Sequence, residues 1–246
     1  MGITIRAMAL IMAPRSKALV LAIIAAMAAL LGILSIPSLI AALIAFPSGE
    51  DLERLRRGTP PPPFDLARAV ERNLTAATIF ESARYQANAS SALLALPQAE
   101  RKRTGVDAEA IVRSSLRAAP AQTYNWNRLA YLRLAAGDKP GATRAWQMSV
   151  LTSRYEPGLM FGRIRLALAL LPTTDRTTIN LLSDQIRLAA DADLYGLAMA
   201  SYKTGTAPFI SAVLWRDTTK LPLFTRYYGG RIWAAQHPEE AKALRK

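Results

Sequence analysis

Residues 126 to 149 read WNRLAYLRLAAGDKPGATRAWQMS, and this stretch decides the fold. Trp126 is followed three residues later by Leu129 and then by small Ala130. Gly137-Asp138 closes that segment, and Ala142, Trp146 and Ser149 follow at intervals of four and three. Such intervals gather side chains on one face of an α-helix. Two of these segments joined by a Gly-Asp turn predict an antiparallel helix pair. Small residues let the helices approach, the aromatics fill the gaps, and Gly137 can take the left-handed conformation that stops the first helix.

The segment before it keeps the same register. Ala108, Val112, Ser115 and Pro120 lie 34 residues ahead of Ala142, Trp146, Ser149 and Arg154. The first three match their counterparts in size class. This spacing resembles the tetratricopeptide repeat over one full repeat and one half repeat, about 50 residues. Arg154 stands where that family has its closing proline, Pro157 comes three residues late, and Arg133 replaces a usual Tyr. The resemblance implies an all-α, helical-hairpin solenoid with a groove for a partner peptide or helix. Its groove-facing residues would be Tyr124, Asn127 and Tyr131.

Working outward, Asp65 to Leu96 carries Leu66, Ala69, Val70, Leu74, Ala77 and Phe80 on one helical face. Asn73-Leu74-Thr75 matches a glycosylation sequon by chance. Pro97 ends the run, and Gln98 to Gly105 reads as a basic loop. On the carboxyl side, Pro157 starts a helix over Leu159 to Leu171, which ends at Pro172. Glu156 is expected to cap it. Thr173-Thr174-Asp175 caps a helix bearing Ile179, Leu182, Ile186 and Ala189. Asp191-Ala192-Asp193 introduces Leu194 to Tyr202, and Gly205 stops it. Pro208 to Trp233 is richer in aromatics, with Arg216, Lys220, Arg226 and Arg231 interleaved, and Gly229-Gly230 reads as a turn. One reading is a helical cap packing its aromatics on the solenoid end. The other is a platform where sugar rings or a peptide stack on Tyr227 and Trp233, with Arg226 and Arg231 binding anionic groups.

Ala18 to Phe46 contains no charged residue over 29 positions, against about 20 needed to span hydrocarbon. It is too long for a signal-peptide core and lacks a good cleavage site. It reads as an uncleaved transmembrane signal anchor. Pro37, between Ser35 and Ser38, predicts a kink. The alternative is a re-entrant hairpin, the kind of Ser-Pro break that monotopic phosphoglycosyl transferases use, and nothing downstream supports it. Arg6, Arg15 and Lys17 before the span balance Arg54, Arg56 and Arg57 after it, so orientation follows the commoner arrangement of such anchors. That puts a short cytoplasmic tail at 1–17 and an exported domain beyond a Pro-rich linker at 47–64, in a bacterial inner membrane. The linker holds a charged stretch, Glu50 to Arg57, that reads as one short interfacial helix, and the stiff run Pro60 to Pro63. The helical-repeat domain is expected over 65–207 and the aromatic, basic cap over 208–246.

The net charge is +13. The Arg residues are dispersed, as free use of Arg by a GC-rich bacterial genome produces, and no basic stripe or nucleic-acid motif appears. Nucleic acid is therefore not an expected partner. With no Cys and one His, His237, thiol catalysis and Cys-rich metal sites are excluded, and a Ser-His-Asp triad is improbable. No cofactor, metal or catalytic residue is expected. Glycan chemistry would need two facing carboxylates; Glu81, Glu109 and Glu156 are candidates without a motif.

Trp126-Asn127-Arg128-Leu129-Ala130, Met148 to Pro157, Arg163 to Leu168 and Gln185-Ile186-Arg187-Leu188 also resemble small anchored helical proteins encoded with exopolysaccharide biosynthesis systems. That resemblance implies a pathway, not a reaction. The expected function is a membrane-anchored scaffold or adaptor binding a protein partner of an envelope assembly. The alternatives are non-catalytic binding of an acidic polysaccharide or anionic surface, and last a glycan-processing enzyme.

Overall fold

The computed structural model describes residues 14–171 and 175–243, and among them there is helix and no strand. They divide into two compact units, 1–106 and 107–246. The expected repeat region 65–207 straddles that division.

In the first unit, helix α1 (Pro14–Ala45) is long and apolar enough to cross a membrane. It passes through Pro37 as one helix, so no hairpin forms there. Pro37 cannot bond the carbonyl of Ile33. Ser35 Oγ donates to Leu31 O at 2.7 Å and not to that carbonyl. From Leu19 to Ile36 every residue is exposed. Beyond it Pro37, Ser38, Ala41, Ile44 and Ala45 are covered, one face packing on α3.

A single 3-10 turn (Phe46–Ser48) leads into α2 (Gly49–Arg56), where Glu53 pairs with Arg56 and Arg57 at 3.3 and 3.0 Å. The 47–64 region is thus mostly folded, with Ser48 and Leu52 buried. α3 (Pro63–Ile79) and α4 (Ala83–Ala95) form a hairpin. Phe80 to Ser82 interrupts the helix expected to run to Leu96, and the Ser82 side chain caps α4 through Arg84 N. Leu66, Ala69, Val70, Asn73 and Ala76 are buried, whereas Phe80 is exposed. The core face of α3 therefore turns toward Asn73 and Ala76. Asn73 Nδ2 donates to Ser48 Oγ and Ala69 O, both at 2.8 Å, so both of its amide protons are engaged within the unit. The expected basic loop contains α5 (Gln98–Arg103), stiffened by an Arg103–Glu100 pair at 2.7 Å.

The second unit begins with α6 (Ala108–Ala118), capped by the Asp107 carboxylate, then α7 (Thr123–Ala135) and α8 (Lys139–Thr152). Gly137 takes φ +85° between α7 and α8, and Asp138 caps α8 through Gly141 N at 2.9 Å. α9 (Met160–Leu170) starts later than Pro157 suggested, because Pro157 to Leu159 form a turn closed by Leu159 N to Glu156 O at 2.9 Å. Asp175 caps α10 (Arg176–Thr204). The expected caps Thr173 and Thr174, and the helix-ending Pro172, lie outside the described residues. α10 comprises the two helices expected around Asp191-Ala192-Asp193, one on each side of a kink. It bends at Asp193 (φ −157°, ψ 81°), whose carboxylate receives Gly196 N at 2.7 Å, and Gly205 (φ 68°) ends it.

α11 (Ala207–Leu214), α12 (Lys220–Gln236) and α13 (Pro238–Ala243) complete the chain. Gly229 and Gly230 lie inside α12 rather than in a turn, because Phe224 and Tyr228, one face of that helix, are packed against the unit. Helices pack on their sequence neighbours: α6 on α7, α7 on α8, α9 on α10. α9 also touches α7 and α8, and α10 touches α8. Val112, Leu129, Ala130, Ala142, Trp146, Ile164, Leu182 and Ile186 form the shared core.

Candidate partner-binding site

Tyr124, Asn127 and Tyr131 recur at three and four along α7, so one helix face carries all three. Tyr131 and Tyr124 are exposed by 54% and 42%, so much of each ring is open to a partner. Asn127 differs. Its Oδ1 is buried and accepts no hydrogen bond, an arrangement that costs about 1–3 kcal/mol.

Tyr124 is held in place. Its hydroxyl donates to Glu156 Oε1 at 2.8 Å, so Glu156 serves Tyr124 rather than capping a helix. A Cβ on Gly158 would stand 2.8 Å from that hydroxyl oxygen and would displace it. Partial burial and the Glu156 carboxylate both push the phenol above its ordinary pKa.

Beneath this face lies a feature that the sequence reading missed. Arg163 is fully buried. Its Nε donates to Ser149 Oγ at 3.0 Å, and Nη1 to Ser153 O at 2.9 Å and Gln185 Oε1 at 3.4 Å. Nη2 donates to Thr123 Oγ1 and Ser149 O. All five guanidinium N–H groups thus have acceptors, and none of these acceptors is a carboxylate. Burial pushes the Arg163 pKa down, while Glu156 and then Tyr124 act the other way. Trp146 Nε1 donates to the backbone carbonyl of Arg163 at 2.9 Å, and Gln185 Nε2 to Arg154 O at 2.8 Å. Four helices, α7 to α10, are tied at this point.

The other expected residues lie on α12, which packs on α10 and α11. Tyr227 meets Tyr195 edge-on at 5.5 Å, and Arg231 sits 5.5 Å over the Tyr202 ring. Trp233 stacks on His237 at 5.1 Å. Arg226 is exposed. Tyr227 and Arg231 are engaged in packing, so they form a cap more than an open platform, on a different helix from Tyr124, Asn127 and Tyr131.

A cleft of about 400 Å³ opens elsewhere on α6, α7 and α8, with Trp126 and Leu129 among its lining. Arg113, Arg117 and Arg144 stand exposed around it. Arg133, also there, is committed to Glu109 at 3.1 Å and to Gly141 O at 3.3 Å, which explains its place in a position where Tyr was expected. Of the candidate carboxylates, Glu109 is therefore paired with Arg133, Glu156 holds Tyr124, and Glu81 is exposed at the α3–α4 turn. The chain matches no family model, no curated protein and no solved structure.

Proposed function

We propose that this chain is a membrane-anchored helical-repeat scaffold that binds a protein partner of an envelope assembly through the exposed face of α7. The observation that carries the reading is the row Tyr124–Asn127–Tyr131. Two aromatic rings are open to solvent, the first fixed by Glu156, with Asn127 between them. Rigid, exposed Tyr side chains are well suited to peptide recognition. The packing of each helix on the next, and on the one after that for α7 to α10, supports a tetratricopeptide-like solenoid. Of the stretches that resemble exopolysaccharide-system proteins, three, through Ser149 and Ser153, Arg163, and Gln185, meet in the Arg163 hydrogen-bond network. Polysaccharide synthesis or export is accordingly the proposed setting.

The anchor reading rests on exposure. The exposed apolar surface of α1 runs from Leu19 and, on its uncovered side, reaches Leu43, more than the ~20 residues that cross the ~30 Å hydrocarbon core as a helix. The chain sits in a bacterial inner membrane with its carboxyl-terminal part in the periplasm. A second reading, capture of an acidic glycan, draws on Arg113, Arg117 and Arg144 around their cleft; it requires a steep salt dependence, which binding on α7 does not.

The test uses the tagged full-length chain, purified from crosslinked native membranes. Tyr131→Ala is expected to reduce the recovered partner by about tenfold. Asn127→Leu is expected to raise thermal stability by relieving the unpaired amide. Unchanged recovery with Tyr131→Ala contradicts the reading.

A further inference from the structure

The strongest unassigned feature lies in the first unit, where the apolar helix ends. A cleft of about 570 Å³ is lined on one side by Ala42, Ala45 and Phe46. Facing them are Glu50 on α2 and Arg84, Tyr85 and Asn88 on α4. On the uncovered side of α1, Leu39, Ile40 and Leu43 remain exposed. The apolar surface thus continues to Leu43 and Phe46, which is 82% exposed, and the first charged residues, Glu50 and Asp51, follow on α2. The cleft therefore begins where hydrocarbon gives way to headgroups.

Its chemistry has two signs. Glu50 and Arg84 are both exposed, and neither forms an ion pair among the described residues. Arg84 and Asn88 are one turn apart on α4, so a guanidinium and an amide, with the Tyr85 hydroxyl beside them, supply donors for a phosphodiester. Glu50 supplies an acceptor for a cation. We propose that this cleft binds a phospholipid whose headgroup carries both a phosphate and a primary ammonium. The acyl chains lie along Ala42, Ala45 and the exposed side of α1, the phosphate meets Arg84 and Asn88, and the ammonium meets Glu50. A purely anionic headgroup would leave Glu50 facing a like charge. A quaternary amine has no N–H to donate to it. The inference rests on the anchor reading and is independent of the α7 face.

The experiment uses full-length chain in detergent, with equal amounts of phosphatidylethanolamine, phosphatidylcholine and phosphatidylglycerol, and counts retained lipids by native mass spectrometry. Phosphatidylethanolamine is expected to be retained about fivefold or more over the other two. Glu50→Gln is expected to erase its advantage over phosphatidylglycerol, Arg84→Gln to weaken all three, and the exposed-site control Glu81→Gln to change nothing. Equal retention of the three lipids, or a preference untouched by Glu50→Gln and Arg84→Gln, overturns the proposal. Displacement of the lipid by millimolar phosphoethanolamine would overturn the lipid as the ligand in favour of the soluble ester. Alkaline extraction of native membranes separates the two ideas: a chain that leaves the bilayer removes the anchor reading, whereas a retained chain without lipid preference removes only the cleft.

Discussion

Replacing Arg163 with leucine is expected to destabilise the second unit by roughly 3–5 kcal/mol, read by chemical denaturation of the detergent-solubilised chain. The side chain is shielded from solvent and fills the acceptors of Thr123, Ser149, Ser153 and Gln185 with its five donors. Leucine removes the buried charge, which is favourable by itself. It leaves several buried oxygens without a donor, however, and each such loss costs about 1–3 kcal/mol. The second effect wins because the Gln185 amide oxygen and the Ser153 carbonyl lose a donor, while the Thr123 and Ser149 hydroxyls already donate to each other's carbonyls at 2.7 and 3.1 Å and have no proton to spare for them. Arg163→Lys is not expected to rescue it. An ammonium has three donors at one point, whereas these acceptors are spread around a planar fork. A lysine variant as stable as the parent would show that charge, not the fork, holds the site.

Trp146→Ala is expected to cost about 3–5 kcal/mol. The indole is fully buried in the core of the second unit, and its Nε1 satisfies the Arg163 carbonyl. Trp146→Phe keeps most of the apolar volume but loses that bond, so its cost falls to about 1–3 kcal/mol. Because Trp146 and Arg163 touch, the double replacement Trp146→Ala with Arg163→Leu is expected to cost less than the sum of the two. Additive losses in a double-mutant cycle would mean that the two residues support separate parts of the unit.

The helix pair at 126–149 was legible because its spacing leaves one face small or aromatic, and Ala142, Trp146 and Ser149 are all buried. The buried role of Arg163 is less plain from its neighbours. The signal was present: Met160, Ile164, Ala167 and Leu170 form an apolar stripe, and Arg163 falls on it whereas Arg165 does not. Gln185 interrupts the stripe of Leu182, Ile186 and Ala189 in the same way. Two polar residues on apolar stripes of adjacent helices call for each other, since neither can be buried alone. Local signals misled at Gly229-Gly230, where tertiary packing of Phe224 and Tyr228 carries the helix through two flexible residues. They misled again at Glu156, whose partner Tyr124 lies 32 positions away, beyond any local pattern. At the amino-terminal end, length and the absence of charge identified α1. They could not show that its last turns are covered by α3, because Asn73 and Ser48 meet across 25 residues.

The most direct test of the scaffold account is a photo-crosslinker scan of α7 in native membranes, one position at a time in the full-length chain. The account predicts one discrete heavier adduct from probes at Tyr124 and Tyr131, and none from Arg113 or Arg144 on the neighbouring helices. Adducts of equal yield at every exposed position, or none at Tyr131, would contradict it.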